Sequence, residues 1–163
     1  MIIDVPVLLP NQMKTPKKPP FKYAGSKARM LKKYAASGFL IKEPKMFVDM
    51  FAGSTQVAYW IRQMYPDLPI VINDLNDELN QLYHVMMKHT KEYQAYGREL
   101  LKPYLAITPP PKPKISSERK EYYYSLRQRY WDRDFQNEVE ESALLMFMMR
   151  INFNGFWGQS KKY

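Results

Sequence analysis

The hydrophobic positions of residues 47–86 follow two different periods. The runs "FVDMF" and "IVIND" are short, apolar and rich in β-branched or aromatic residues, which is typical of strands. Strand, helix, strand and helix in this order predict a parallel crossover unit, and hence an α/β fold with a Rossmann-like sheet. The unbroken triple "IVI" favours a sheet covered on both faces. After each run, apolar residues recur at intervals of three and four, which predicts amphipathic helices that carry Val57, Trp60, Ile61 and Met64 in the first and Leu79, Leu82, Tyr83 and Met86 in the second.

One further helical segment precedes this unit. "GSKARMLKKY" predicts a short helix with Ser26 as its N-cap. The helix after the second strand has Asp74 or Asn76 as its cap, and we expect it to continue through residues 91–105 until the prolines that follow. The segment before residue 108 is therefore predicted to alternate strands and helices.

The last part of the chain is predicted to be helical. A basic, tyrosine-rich helix is expected after a cap at Ser116 or Ser117. In the helix that follows, Asn137 and Glu140 match a capping box, and residues 144–149 form a buried core segment.

Proline-rich segments divide the chain. Residues 1–20 end in "KTPKKPP", which predicts an extended basic arm, and residues 108–114, "TPPPKPK", predict a stiff linker. We therefore expect a Rossmann-like part over 21–107 and a helical part over 115–163.

Composition narrows the possible functions. Lys and Arg number 25 against 16 Asp and Glu, a net charge of +9, which favours polyanions such as nucleic acids, although many basic proteins bind none. No apolar run reaches the roughly 20 residues that a membrane span needs, so we expect a cytoplasmic protein without a membrane partner. With two histidines and no cysteine, zinc clusters and cysteine nucleophiles are excluded, and no metal site is predicted.

The strand ends are where a crossover unit binds its ligand. Gly53 lets the chain turn tightly after the first strand, and Asp74 follows about 20 residues later, a spacing that suits a carboxylate holding two ribose hydroxyls. The same two residues also suit a plain turn glycine and a helix-capping acid. Lys27, just after a glycine turn, is either a surface lysine or a partner for a ligand carboxylate.

Five blocks occur in a specific order: "PFKYAGSKARML", "FVDMFAGSTQV", "INDLNDELNQLY", "YYYSLRQRYW" and "RINFNGFWG". Together they resemble the Dam-type (D12 class) DNA adenine-N6 methyltransferases, over residues 21 to about 160. The resemblance implies part of a Rossmann-like methyltransferase sheet with a helical target-recognition insert, S-adenosylmethionine (AdoMet) as cofactor and DNA as partner. A small, cysteine-free split methyltransferase would suit a phage or a restriction–modification locus.

The resemblance also implies roles for individual residues. Tyr23 and Lys27 would contact the methionine end of AdoMet, Asp74 would hold the ribose hydroxyls, and Leu75 would lie against the adenine. The turn residues Phe51, Gly53 and Ser54 would pack beneath the cofactor. In the recognition part, the resemblance implies DNA contacts by Arg127, Arg150, Asn152, Asn154, Lys161 and Lys162, although "NFNG" also suits a helix C-cap with Asn154 or Gly155 in the left-handed conformation.

Two features depart from the family pattern. Ser54 and Thr55 stand where the family usually has further glycine, which restricts the approach of the backbone to a cofactor. The catalytic motif Asp-Pro-Pro-Tyr is absent, and "TPPP" at residue 108 does not replace it, because a threonine hydroxyl is no carboxylate and a proline has no stacking face. No catalytic residue is therefore assigned.

These features lead to two hypotheses. In the first, the chain is one subunit of a split methyltransferase, inactive alone, whose catalytic motif lies on a second polypeptide. In the second, it is a catalytically inactive methyltransferase derivative that binds DNA or protein. A truncated or disrupted gene would also explain the missing motif.

Overall fold

The computed structural model describes residues 21, 23, 25–27, 30–36, 44–108 and 117–152. The chain forms two compact units, Met1–Leu75 and Asn76–Tyr163. The predicted arm, most of the predicted linker, and the residues from 153 onward lie outside the described residues. None of the described helices is both long and apolar enough to cross a membrane.

The first unit contains a small parallel sheet. Its elements are α1 (Leu31–Ala36), β1 (Phe47–Asp49), α2 (Gln56–Met64) and β2 (Ile70–Ile72). The strands pair in parallel, with Val48 opposite Val71, which confirms the predicted direction. The mixed, helix-rich α/β architecture agrees with the predicted class, while a wider Rossmann-like sheet and a recognition insert stay predictions.

One face of this sheet packs against the core and the other is open. Trp60 and Ile61 of α2 are fully buried with Leu31 and Leu68, as the apolar spacing of α2 predicted. Val48 and Val71, on the opposite face of the strands, remain 46% and 47% exposed. Coverage of both faces is therefore not found among the described residues.

The prediction of the first helix was wrong at its start. α1 begins at Leu31, five residues after Ser26, so Ser26 is not its N-cap. The Ser26 amide instead donates to the Tyr23 carbonyl (3.2 Å) in a tight turn. A serine satisfies a turn as readily as a helix start, and the sequence does not distinguish the two.

The described part of the second unit consists of four helices: α3 (Asp77–Lys88), α4 (Thr90–Ala106), α5 (Ser117–Trp131) and α6 (Glu138–Ile151). Asn76 caps α3, since its side chain accepts from the amides of Glu78 and Leu79, which settles the choice between Asp74 and Asn76. The predicted continuous helix is two helices, because His89 leaves the helical conformation between α3 and α4. Ser117 lies inside α5 as its first residue, so it is not the cap.

α6 is the central helix of the second unit. Its residues from Glu140 to Met149 are all buried, and α3, α4 and α5 pack against it. The run from Ala143 to Met149 is apolar all round, and a helical segment of this kind needs such enclosure. The predicted cap is confirmed, because the Asn137 side chain accepts from the amides of Val139 and Glu140.

The second hydrogen bond of the predicted capping box differs from the standard pattern. The Glu140 carboxylate accepts from the amide of Gln136, one residue earlier than a capping box requires, and it also binds Arg129 and Tyr96. Burial alone would raise the pKa of Glu140, but the hydrogen bonds from Tyr96, Gln136 and Arg129 hold that pKa below its ordinary value. Glu140 is thus a buried, fully paired carboxylate within the helical unit.

Candidate cofactor-binding site

Two acidic residues mark the carboxyl ends of the paired strands. Asp49 ends β1, and Asp74 follows two residues after β2. The pairing continues past the strands, because the Asn73 amide donates to the Asp49 carbonyl (2.8 Å) and the Ala52 amide to the Asn73 carbonyl (2.9 Å). These bonds hold the turn after β1 beside the end of β2.

Gly53 links this turn to Asp74. Its amide donates to the Asp74 carboxylate at 2.8 Å. Its φ of 47° lies in the left-handed region, and a Cβ atom at this position would lie 2.9 Å from Cε1 of Tyr23. Both the backbone conformation and the close approach of the Tyr23 ring therefore require glycine.

Ser54 and Thr55, which depart from the family pattern, are accommodated in different ways. Ser54 is buried, and its hydroxyl donates to that of Ser26 at 3.4 Å, which connects the turn to the Gly25–Lys27 segment. Thr55 takes the left-handed conformation with φ 53°, which is strained for a β-branched residue. The turn is thus closed by serine and threonine without further glycine.

These segments enclose a cavity of about 250 Å³, just below the roughly 300 Å³ at which small-molecule sites usually begin. Six predicted residues line it: Tyr23, Lys27, Phe51, Gly53, Ser54 and Asp74. Leu75 does not, and its side chain is 94% exposed. Six further residues line the cavity without having been predicted as ligand-binding from the sequence: Gly25, Ser26, Asp49, Ala52, Gln56 and Val57.

The charges around the cavity are predominantly acidic. Burial raises the pKa of Asp49, and the Asp74 charge adds to that rise, while the amides of Phe51 and Ala58 and the charge of Lys27 act against it. Burial also raises the pKa of Tyr23, with a further contribution from Asp74. Two carboxylates facing a single lysine favour a ligand that brings positive charge or hydroxyl donors.

The residues present suit AdoMet. A carboxylate can accept several hydrogen bonds, so the bond from the Gly53 amide does not by itself prevent Asp74 from receiving a hydroxyl. AdoMet carries a sulfonium, an ammonium, a carboxylate and two ribose hydroxyls, and these groups match two acids and one lysine around a glycine turn. Asp49 was missed, although its position at the end of the first strand is the same signal that singled out Asp74.

The predicted DNA contacts belong to the second unit. Arg127 lies on α5, and Arg150 is exposed in the last turn of α6. Asn152 is the C-cap of α6 in an extended conformation and is buried. Asn154, Gly155, Lys161 and Lys162 lie outside the described residues.

A glycine turn between parallel strands, with an acid at each strand end, is the arrangement of α/β proteins that bind nucleotide-like cofactors. Residues 23–163 match the family model of the D12 class N6 adenine-specific DNA methyltransferases, and the chain belongs to this family. It is 25% identical over 151 residues to the Type II methyltransferase M.MjaIII of Methanocaldococcus jannaschii. That alignment covers 89% of this chain and 49% of the relative, so the chain spans about half the relative's length. No solved structure matches the chain.

Gly53→Ala tests the turn. We expect a loss of about 1–2 kcal/mol in the free energy of unfolding from the left-handed backbone, and a further loss from the clash with Tyr23. Gly97→Ala is the matched control: Gly97 lies within α4 with nothing near the added methyl group, so we expect a gain of up to about 1 kcal/mol. Urea unfolding measures the change in unfolding free energy for both variants.

The contribution of the Tyr23 ring to the stability loss in Gly53→Ala can be measured separately. In a Tyr23→Ala background, Gly53→Ala should cost less than in the wild type, because the clashing ring is gone. Equal stabilities of the Gly53→Ala and Gly97→Ala variants would contradict this account of the turn.

Proposed function

We propose that this chain is the AdoMet-binding and DNA-contacting part of a DNA adenine-N6 methyltransferase. The observation that carries the proposal is the Gly53–Asp74 hydrogen bond within a cavity that Tyr23 and Lys27 also line. Family membership supports the reaction class, and the acidic strand ends support the cofactor.

Four residues in or beside the cavity have proposed roles. Asp74 accepts the ribose hydroxyls, and Lys27, whose Nζ donates to the Gly25 carbonyl at 3.0 Å, pairs with the methionine carboxylate. Phe51 and Leu75 have exposed side chains that are accessible to an adenine ring. When bound, AdoMet supplies the activated methyl group.

AdoMet binding should depend on Asp74 and Lys27. By calorimetry, we expect Asp74→Asn and Lys27→Ala each to weaken AdoMet about 10- to 100-fold, the loss of one charge-assisted interaction. Asn at position 74 keeps an oxygen for the Gly53 amide, so the turn is retained. Asp67→Asn, which removes an exposed acid in the same unit, is the control and should have no effect.

Two results would contradict the cofactor assignment. One is a wild-type chain that binds no AdoMet. The other is unchanged affinity in both the Asp74 and the Lys27 variants.

DNA contact is proposed for one face of α5. Arg127 stacks over Trp131, with its guanidinium carbon 3.8 Å from the ring centroid, and lies 5.7 Å from the ring of Tyr124. The Lys120 amine lies 6.0 Å from the centroid of the same Tyr124 ring. Tyr124 is 48% exposed. Alternating cations and aromatic rings bind phosphates and stack on bases.

This face extends the contacts implied by the resemblance. Arg127 belongs to both, and Arg150 is exposed near the end of α6. Asn152 is buried, so a DNA contact by its side chain would need its surroundings to open. The proposal therefore rests on Arg127 and Arg150 among the described residues.

Arg127→Ala should weaken DNA binding and reduce the slope of log affinity against log salt by about 1, the signature of one lost phosphate contact. Trp131→Ala should cost about 1–3 kcal/mol with single-stranded or flipped-base DNA, because a stacking ring is lost. Arg98→Ala, an exposed arginine of α4, is the control. Fluorescence anisotropy at several salt concentrations measures these changes. A salt slope for Arg127→Ala equal to that of the wild type would contradict the assignment.

Methyl transfer is proposed to need the family's Asp-Pro-Pro-Tyr segment, supplied by a further stretch of polypeptide. The family's Asp-Pro-Pro-Tyr segment would bind the adenine amine that receives the methyl group and gives up a proton. These 163 residues contain no such segment. The half-exposed Val48 and Val71 supply an apolar sheet face that a partner could cover.

Reconstitution tests this requirement. A mixture of the chain with a family polypeptide that carries Asp-Pro-Pro-Tyr should transfer labelled methyl groups to DNA adenine, and the chain alone should not. A partner with that Asp changed to Ala is the control. Methyl transfer by the chain alone, or no transfer by a well-folded complex, would contradict the proposal. DNA binding without any response to AdoMet would favour the alternative of an inactive binding protein.

A further inference from the structure

Three metal-ligating side chains meet at one corner of the helical unit. His84 lies in α3, His89 joins α3 to α4, and Glu138 is the first residue of α6. One ligand atom from each lies within 4.8 Å of the other two. These two histidines are the only ones in the chain.

The break at His89 produces this arrangement. In a continuous helix, residues five apart point about 140° from each other, so His84 and His89 would face different sides. His89 instead has φ −121° and ψ 39°, outside the helical region, and the two imidazole rings lie 6.4 Å apart at 58°. Counting ligands in the sequence predicted no zinc cluster, because neither the break at His89 nor the approach of the distant Glu138 is visible in the sequence.

The distance between two of the three ligand atoms is close to the distance expected around a bound ion. His89 Nε2 and Glu138 Oε1 are 3.5 Å apart. In a tetrahedral site with bonds of about 2.0–2.1 Å, neighbouring ligand atoms are about 3.4 Å apart. His84 and Glu138 are exposed and His89 is partly exposed, so small side-chain rotations can bring the third ligand to this distance.

We propose that His84, His89 and Glu138 bind a divalent transition-metal ion, with Zn²⁺ as the best match, and that water completes the coordination. Two imidazoles and one carboxylate are a known zinc donor set, whereas Mg²⁺ prefers oxygen ligands in octahedral geometry. The ion would connect the α3–α4 junction to the start of α6, the central helix of this unit. Binding to the folded state alone would raise the melting temperature.

The test uses the full 163-residue chain, purified without a polyhistidine tag and freed of metal with a chelator. Zn²⁺ is titrated by calorimetry, Co²⁺ is followed by its visible absorption, and Mg²⁺ is the control ion. We expect one Zn²⁺ per chain, a tetrahedral Co²⁺ spectrum, a higher melting temperature with Zn²⁺, and no competition from Mg²⁺.

Variants identify the ligands. His84→Asn, His89→Asn and Glu138→Gln should each weaken Zn²⁺ at least about 10-fold, since loss of even an outer partner of a metal ligand has that effect. Glu92→Gln, an exposed acid in the first turn of α4, should bind as the wild type does. Absence of Zn²⁺ binding by the wild type, or unchanged binding by the double variant His84→Asn/His89→Asn, would overturn the proposal.

Discussion

The hydrogen bond from the Gly53 amide to the Asp74 carboxylate is the contact on which the candidate site depends. It joins the turn after the first strand to the end of the second strand. It requires a left-handed residue without a side chain, because the Tyr23 ring occupies the space where a Cβ would lie. The Tyr23 ring against Gly53 and the Ser54–Ser26 hydrogen bond bring the segment containing Lys27 to this turn, so that three separate sequence blocks share one cavity.

The two units are stabilised in different ways. The helical unit encloses α6, with Glu140 held by Arg129 and Tyr96 in its interior. Among its described residues the first unit has two strands of three residues each, and the open face of these strands exposes Val48 and Val71. A two-stranded sheet is marginal by itself. Apolar cover on this face would therefore stabilise the strands and, with them, the cavity at their carboxyl ends.

Elements that depend on local pattern were predictable from the sequence. The two strands, the apolar face of α2 and the Asn137 cap each follow from the spacing of nearby residues. The break at His89 was not predictable, because neither glycine nor proline marks it. Contacts between distant segments were also hidden: Ser54 turning towards Ser26, and Glu138 meeting the two histidines. Asp49 was visible at a strand end, but its place in the cavity depends on strand pairing.

The central claim is that AdoMet binds at the turn that contains Gly53. Selective ¹⁵N-glycine labelling gives at most six amide signals, since the chain has six glycines, and the Gly53 signal reports directly on the bond to Asp74. Titration with AdoMet should shift the signals of Gly53 and Gly25, which line the cavity, and leave Gly97 in α4 unchanged. Saturating AdoMet with no shift at Gly53 would contradict the account.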